Sequence, residues 1–352
     1  MSAGREGVVA ELEAALSRAA GLAPESAAFA ELLAGLRTHA GAGKLIRPRL
    51  VELGWRAAAD GPVPAAERPA VDRLGAAFEL LHTGLLVHDD VIDRDVVRRG
   101  ERTVHEATRR RLAARGVPEA EAAHAGTAVA LIGGDVLLVE ALRLAMTCTP
   151  DPGRAAPVAA VVLDAATASA AGELEDVLLG LARHTGEEPE PERILAMQRL
   201  KTAHYTVSAP LRVGGAAGGG GSRRRRGAGE AAAPTWAWPT RWWTTCSGCS
   251  APRSRPASPP TATCARARPP CSPRTAAATP PSAPCSTPAP ATPEELEAAR
   301  RALEAAGARE HALQVAEELT RRAAEHLAVL PLGEAACAEF ADACHAVLTR
   351  SS

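Results

Sequence analysis

From Ser222 to Pro290 the chain contains no Leu, Ile, Val, Phe or Met. These 69 residues hold no Asp and a single Glu (Glu230), yet 14 of the chain's 28 prolines and five of its eight cysteines. A segment without aliphatic side chains has little to bury, and proline at that density breaks helices. Residues of about 217–290 are therefore not expected to fold natively. Any core of this 352-residue chain must come from the residues on either side.

Those flanks read as helix after helix. Ala, Leu, Glu and Arg dominate residues 1–220, and apolar positions recur three and four apart, as in Val8, Leu12 and Leu16. No run of alternating β-branched residues is present, so the predicted class is all-α. Prolines near 61–69, 149–157 and 188–191 mark turns between helices. Residues 292–352 return to the same style. Thr292-Pro293-Glu294-Glu295 has the form of a helix start, with a helix expected through Ala306.

Charge and composition exclude several classes. With 40 basic and 41 acidic side chains, the net charge of −1 makes no whole-chain case for nucleic acid or an anionic membrane. The first twenty residues carry charges every few positions and no apolar h-region, so a secretory signal is not expected. Asp135, Glu140 and Arg143 interrupt the apolar stretch from Ala125 to Met146, which suits a buried core helix better than a membrane span. Eight cysteines outside a secretory context do not make a disulfide framework. The expectation is a cytoplasmic protein with no nucleic-acid partner and no stable membrane insertion.

Residues Glu79 to His105, ELLHTGLLVHDDVIDRDVVRRGERTVH, are the richest in chemistry. On a helix Asp89 and Asp93 share a face, with Asp90 beside them. Three carboxylates so placed repel one another unless a cation sits among them. Mg²⁺ suits that role, because it binds through one or two carboxylates, keeps waters and takes phosphate oxygens as its remaining ligands. Arg98 and Arg99 follow, offering planar donor forks to phosphate. The bland alternative is a solvated acidic helix end with surface arginines.

Three weaker clusters accompany it. In Gly41-Ala42-Gly43-Lys44-Leu45-Ile46-Arg47-Pro48 the glycines permit close backbone approach to a ligand, and Lys44 and Arg47 can converge on one anion. Lys201-Thr202 places a cation and a hydroxyl within an otherwise apolar run, where a snorkelling surface lysine is the alternative. Gly172-Glu173-Leu174-Glu175-Asp176 adds acidic residues to an Ala-rich helix, which could equally be a polar face.

In this order the clusters resemble the trans-isoprenyl diphosphate synthases, the polyprenyl synthetase family. The likeness covers roughly 30–220 and 291–352, and its strongest signature is ELLHTGLLVHDDVIDRDVVRRG. It implies a single domain over 1–352, with an all-helical bundle around a deep cavity, usually homodimeric. By similarity Asp89, Asp90 and Asp93 are metal ligands. Lys44, Arg47, His82 and Arg99 match isopentenyl diphosphate positions, and Arg98, Lys201 and Thr202 match those holding an allylic diphosphate. Glu173 stands where the family commonly has Gln. The implied reaction condenses the two substrates with Mg²⁺. The residues four and five before Asp89, Leu85 and Gly84, are not aromatic, which favours products beyond fifteen carbons such as geranylgeranyl diphosphate. A terpene cyclase shares an aspartate-rich helix but has no isopentenyl diphosphate to bind, so Lys44, Arg47 and the arginine pair argue against it. A non-catalytic partner of a competent homologue is the other alternative.

The family's second aspartate-rich motif and the Gly-Lys segment after it are absent as written, and the reading frame offers an account. Trp has one codon, TGG. Codons built from the last base of one residue and the first two of the next give Val from Trp242 into Trp243, and Asp from Trp243 into Thr244. Gly is forced at Trp236–Ala237 and Ala at Trp238–Pro239. With permitted bases elsewhere, Thr235 to Ser250 reads L-G-L-A-Y-Q-V-V-D-D-L-L-G-V-F, Pro256 to Pro259 reads G-K-P, and Ala262 to Arg268 reads D-L-R-E-G-K. Compensating indels near 214–222 and 285–292 would leave the length almost unchanged. Cys246-x-x-Cys249 with Cys264 and Cys271 has a zinc-like look, and the Trp cluster with Arg223–Arg226 resembles a nucleic-acid or membrane patch. In the shifted frame both are by-products of GC-rich codons.

Overall fold

The structure is a computed structural model. It describes residues 3–218 except 42, 44, 60 and 186–189, and, further along, residues 301, 305, 307, 314, 317, 318, 321, 325 and 338. The expectations for 222–290, the zinc-like and nucleic-acid patterns included, lie outside the described residues, as does the helix start at Thr292. Arg301 and Ala305 are helical, and Gly307 follows at φ +68°, as a helix ending near Ala306 requires.

The described elements, in order, are helices α1 (Ala3–Gly21), α2 (Ala27–His39), α3 (Ile46–Ala59) and α4 (Arg68–Asp93), then a two-residue hairpin, β1 (Val97–Arg98) and β2 (Glu101–Arg102). Helices α5 (Val104–Ala113), α6 (Glu119–Met146), α7 (Pro152–Thr185) and α8 (Pro191–Gln198) follow, then a π-helical segment Arg199–Ser208 and α9 (Ala209–Ala217). The class is all-α. The proline signals near 61–69, 149–157 and 191 coincide with element boundaries, α6 ending at Met146 and α7 starting at Pro152, although Pro157 itself sits inside α7.

Contacts divide the described residues into two compact units, one of residues 3–167 with 205–218, the other of residues 168–204 with the described residues from 301 on. In the first, α4 packs against α1, α3 and α6. Its core joins Leu12 and Leu16, Leu33 and Leu36, Leu74, Phe78 and Leu81, and Leu137 and Leu144. The Val8, Leu12, Leu16 face is buried as its spacing predicts. Ser26 caps α2, its side chain accepting from the Phe29 amide at 3.2 Å. Helix α6 buries Leu137, Ala141 and Leu144 but leaves Leu131, Ile132, Val139 and Met146 exposed. Within α7, Pro152–Leu181 is long and apolar enough to cross a membrane by length and composition, and 44% of its most apolar window is buried.

Helices α3 and α9 cross where each presents a glycine. A Cβ on Gly54 would stand 2.1 Å from the Leu211 carbonyl oxygen, and one on Gly214 would stand 2.0 Å from that of Val51. Neither position has room for a side chain, so these two residues set the distance between the helices.

Candidate functional site

The last turn of α4 carries Asp89, Asp90 and Asp93. Arg94 ends the helix in the left-handed region at φ 57°, its amide donating to the Asp90 and Val91 carbonyls. The chain then enters the hairpin, whose two loop residues, Arg99 (φ 54°) and Gly100 (φ 86°), both take positive φ as a tight two-residue turn demands. Thr103 anchors its far end, donating from Oγ1 to the Asp95 carbonyl at 2.7 Å. This turn brings Arg98 back against the acidic helix end.

Arg98 pairs through Nη2 with Asp89 at 2.9 Å and with Asp95 at 3.5 Å, and through Nε with Asp90. A guanidinium among three carboxylates relieves their repulsion. Burial pushes the Asp90 carboxyl up to about 7, with Arg98 opposing and Asp89 and Asp95 reinforcing that shift. Asp90 is 5% exposed, while Asp89 and Asp93 are half-buried, with a carboxylate oxygen of each within 4.8 Å of the other. Spacing alone groups all three aspartates; the structure pairs Arg98 with both Asp89 and Asp90, buries Asp90 most deeply, and brings carboxylate oxygens of Asp89 and Asp93 together. Two hard oxygen donors at that separation fit Mg²⁺, which keeps waters or phosphate oxygens in its other positions.

A second group lies beside the first turn of α3. Arg47 is buried and donates to Thr206 Oγ1 at 3.2 Å and to Glu79 Oε1 at 3.5 Å. Its guanidinium carbon sits 5.2 Å from the ring centre of Tyr205. His82 stacks on the same ring at 5.9 Å, with Nδ1 3.2 Å from the tyrosine hydroxyl. Burial holds the His82 imidazole well below its usual value, and the charges of Arg47, Arg99 and Arg98 add to that, so it is neutral at physiological pH. Arg99 is exposed, with Nη1 3.7 Å from where a Cβ on Gly43 would stand. Lys44 lies outside the described residues.

In the other unit Lys201 pairs with Glu173 at 2.7 Å and with Asp176 at 2.8 Å, and Thr202 is half-buried. Both lie on the π-helical segment. Gly172 of α7 lets that segment come close, since a Cβ there would be 2.1 Å from the Lys201 amide nitrogen. Ser169 donates to the Lys201 carbonyl at 3.3 Å, adding a side-chain tie between α7 and the π-helical segment.

Glu79, Thr206 and Tyr205 are absent from the sequence-derived site. Glu79 stands three residues before His82 on α4, a spacing that puts both on one face. Tyr205 is the chain's only tyrosine, a signal visible in composition. Gly84, expected near a cavity floor, is buried against α6, where a Cβ would stand 3.1 Å from the Gly134 carbonyl oxygen.

The chain is similar to known proteins in sequence and in fold. The polyprenyl synthetase family model matches residues 31–232. A protein of Sinorhizobium fredii named probable farnesyl diphosphate synthase is 33% identical over 207 residues, 58% of this chain and 53% of the relative. A short chain isoprenyl diphosphate synthase of Methanothermobacter thermautotrophicus is 33% identical over 135 residues, 38% of this chain and 34% of the relative. The chain thus spans about half the length, or less, of these curated relatives. Geranylgeranyl pyrophosphate synthase from Corynebacterium glutamicum, solved with isoprenyl diphosphate and magnesium, superposes with a TM-score of 0.80 at 22% identity, covering 99% of this chain and 98% of that one. Polyprenyl synthetase from Streptomyces coelicolor gives 0.75 at 19% identity, covering 99% and 98%. On the matched model, and with the aspartate-rich helix end and its arginine hairpin in place, this chain belongs to the polyprenyl synthetase family.

Proposed function

We propose that the protein is built to condense an allylic diphosphate with isopentenyl diphosphate, giving a longer polyprenyl diphosphate. The observation that carries this reading is the acidic end of α4, where Asp89 and Asp93 offer oxygens while the hairpin returns Arg98 to them. Asp89 and Asp93 would hold Mg²⁺, which supplies charge neutralisation to a departing diphosphate. Arg98 exchanges its carboxylate partners for phosphate oxygens when substrate enters. Lys201 and Thr202 bind the allylic diphosphate, and Glu173 and Asp176 hold the Lys201 ammonium in place until then. Arg47, His82, Arg99 and Lys44 bind isopentenyl diphosphate. Loss of diphosphate from the allylic carbon leaves a cation, the alkene of isopentenyl diphosphate attacks it, and a proton leaves for the released diphosphate. Bound side chains must exclude water, which would trap the cation.

We infer a product beyond fifteen carbons, geranylgeranyl diphosphate first, because Gly84 and Leu85 put no aromatic ring before Asp89. A homodimer is supported by the exposed apolar line Ile132, Val139 and Met146 along α6, residues seven apart and on one face. The cytoplasm is the proposed compartment.

The frame offset belongs to the same proposal. The family match ends at residue 232, and residues 222–290 lack Asp together with Leu, Ile, Val, Phe and Met. Sequencing the DNA across codons 210–295 tests it, and an uninterrupted frame encoding the Asp pair and the Gly-Lys segment is the expected result. A chain translated from that frame should incorporate labelled isopentenyl diphosphate into a longer diphosphate with Mg²⁺. The chain as written should show negligible turnover, and normal turnover from it would overturn the frame account. Should the DNA match the chain as written, a non-catalytic partner subunit becomes the better reading, shown by a stable complex with a competent homologue.

A further inference from the structure

We propose that Tyr205 is a positioning residue for isopentenyl diphosphate, donating its phenolic proton to Nδ1 of His82 and so leaving the imidazole proton on Nε2. This rests on the reading of His82 and Arg47 as diphosphate-binding residues, and it adds a residue and a proton position to that reading.

The geometry supplies the contact, and the groups around it supply the argument for its direction. The phenol oxygen and Nδ1 are 3.2 Å apart, and the two rings stack with an interplanar angle of 29°. Tyr205 is 5% exposed, so its hydroxyl has little water to turn to. A neutral imidazole has one ring nitrogen that donates and one that accepts, and which is which follows from the hydrogen bond already made. The neighbours decide that here. Arg47, over the tyrosine ring, carries only donors and offers the phenolic proton no acceptor, whereas Nδ1 can accept it. The same cation, with Arg98 and Arg99, disfavours a protonated ring at His82. A phenol that donates to Nδ1 therefore leaves Nε2–H as a donor, which is what a phosphate oxygen requires. The opposite tautomer would present a lone pair to the anion and repel it.

Arg47 is held by the same group. Thr206, the next residue, accepts from Nη2, and Glu79, one helical turn before His82, accepts from Nη1. The π-helical segment thus contributes two consecutive side chains to one cluster, Tyr205 to His82 and Thr206 to Arg47. Both anion-binding groups are fixed before any ligand arrives.

Tyr205 is the sole tyrosine, so a chain labelled at the tyrosine ring carbon bearing oxygen gives one assigned signal without further work. The full chain is labelled there and with ¹⁵N-histidine, and His82 is identified by its loss in His82→Gln. Long-range ¹H–¹⁵N spectra then read the tautomer. The expected result is protonated Nε2 and bare Nδ1, with Tyr205→Phe giving a mixture of tautomers. Calorimetry with isopentenyl diphosphate should show an affinity about tenfold weaker in Tyr205→Phe, the size of one charge-assisted hydrogen bond. Phenylalanine keeps the ring, its stacking and its contact with Arg47, so a purely structural role predicts neither change. In the His82→Gln background, where no tautomer exists, Tyr205→Phe should add little. A wild-type ring protonated at Nδ1 overturns the proposal, as does a tenfold loss that persists undiminished in His82→Gln. If Tyr205→Phe moves the tautomer and isopentenyl diphosphate binds neither protein, the diphosphate reading of the site fails while the Tyr205–His82 pairing stands.

Discussion

Glu106 shows how one residue can fix a helix and leave a pH signature. It is 4% exposed and accepts from Arg109 at 2.7 and 2.9 Å and from Arg110 at 2.5 Å, all within α5. The Arg109 hydrogen bonds, outweighing burial and joined by Arg110, draw its carboxyl down from 4.5 to about 2. Its contribution is therefore complete above pH 4.5 and is lost as pH falls towards about 2. Thermal melts of Glu106→Gln at neutral pH should show Tm lower by about 2–4 °C, as loss of about 1 kcal/mol predicts for a chain of this size. The variant should also lose less Tm than the parent between those two pH values. The carboxylate-to-arginine spacing of three and four was visible in the sequence. That this carboxylate is buried was not, because burial depends on what packs over α5.

At the scale of elements, glycine separates tight crossings from idle helix positions. Gly214 meets the backbone of α3 directly, so Gly214→Ala must push two helices apart. Equilibrium unfolding should register a loss of about 2–3 kcal/mol, the usual cost of overpacking against rigid neighbours. Gly35, in the exposed interior of α2, has nothing within 4 Å of its Cβ position. Gly35→Ala should stabilise by about 0.5–1 kcal/mol, since alanine is the better helix former and restricts the unfolded chain. Gly172 belongs with the first kind. Gly172→Ala would displace the Lys201 backbone, and calorimetry should show weaker binding of an allylic diphosphate, with Gly35→Ala as an unaffected control. Pattern reading found the helices, because a 3.6-residue period is local. It could not tell these three glycines apart, because their difference lies in what faces them. The prolines near 149–157 do mark a break, between Met146 and Pro152, although Pro157 itself lies inside α7.

At the scale of the whole molecule, the exposed line on α6 bears on assembly. If Ile132, Val139 and Met146 meet a second copy, Ile132→Glu with Val139→Glu should convert a dimer to a monomer in sedimentation velocity, leaving the helical circular dichroism spectrum unchanged. A dimer that survives both charges would remove α6 from the interface. The same apolar stretch was expected to be a core helix. One face is core and the other is not, because α6 covers α4 on one side only among the described residues.

The helical class, the order of the basic and acidic clusters, and the codon arithmetic behind the proposed frame offset are all properties of the sequence by itself. They rest on short-range periodicity, on the spacing of charges within one helix, and on the uniqueness of the tryptophan codon. Tertiary structure alone decided that Arg98 pairs with Asp89 and Asp90 and that Asp90 is buried, and that Tyr205 meets His82 across 123 residues of chain. Such pairings follow from where a hairpin turns and how closely helices pack. Those distances are set by side chains and glycines on different elements, so no local window of sequence contains them.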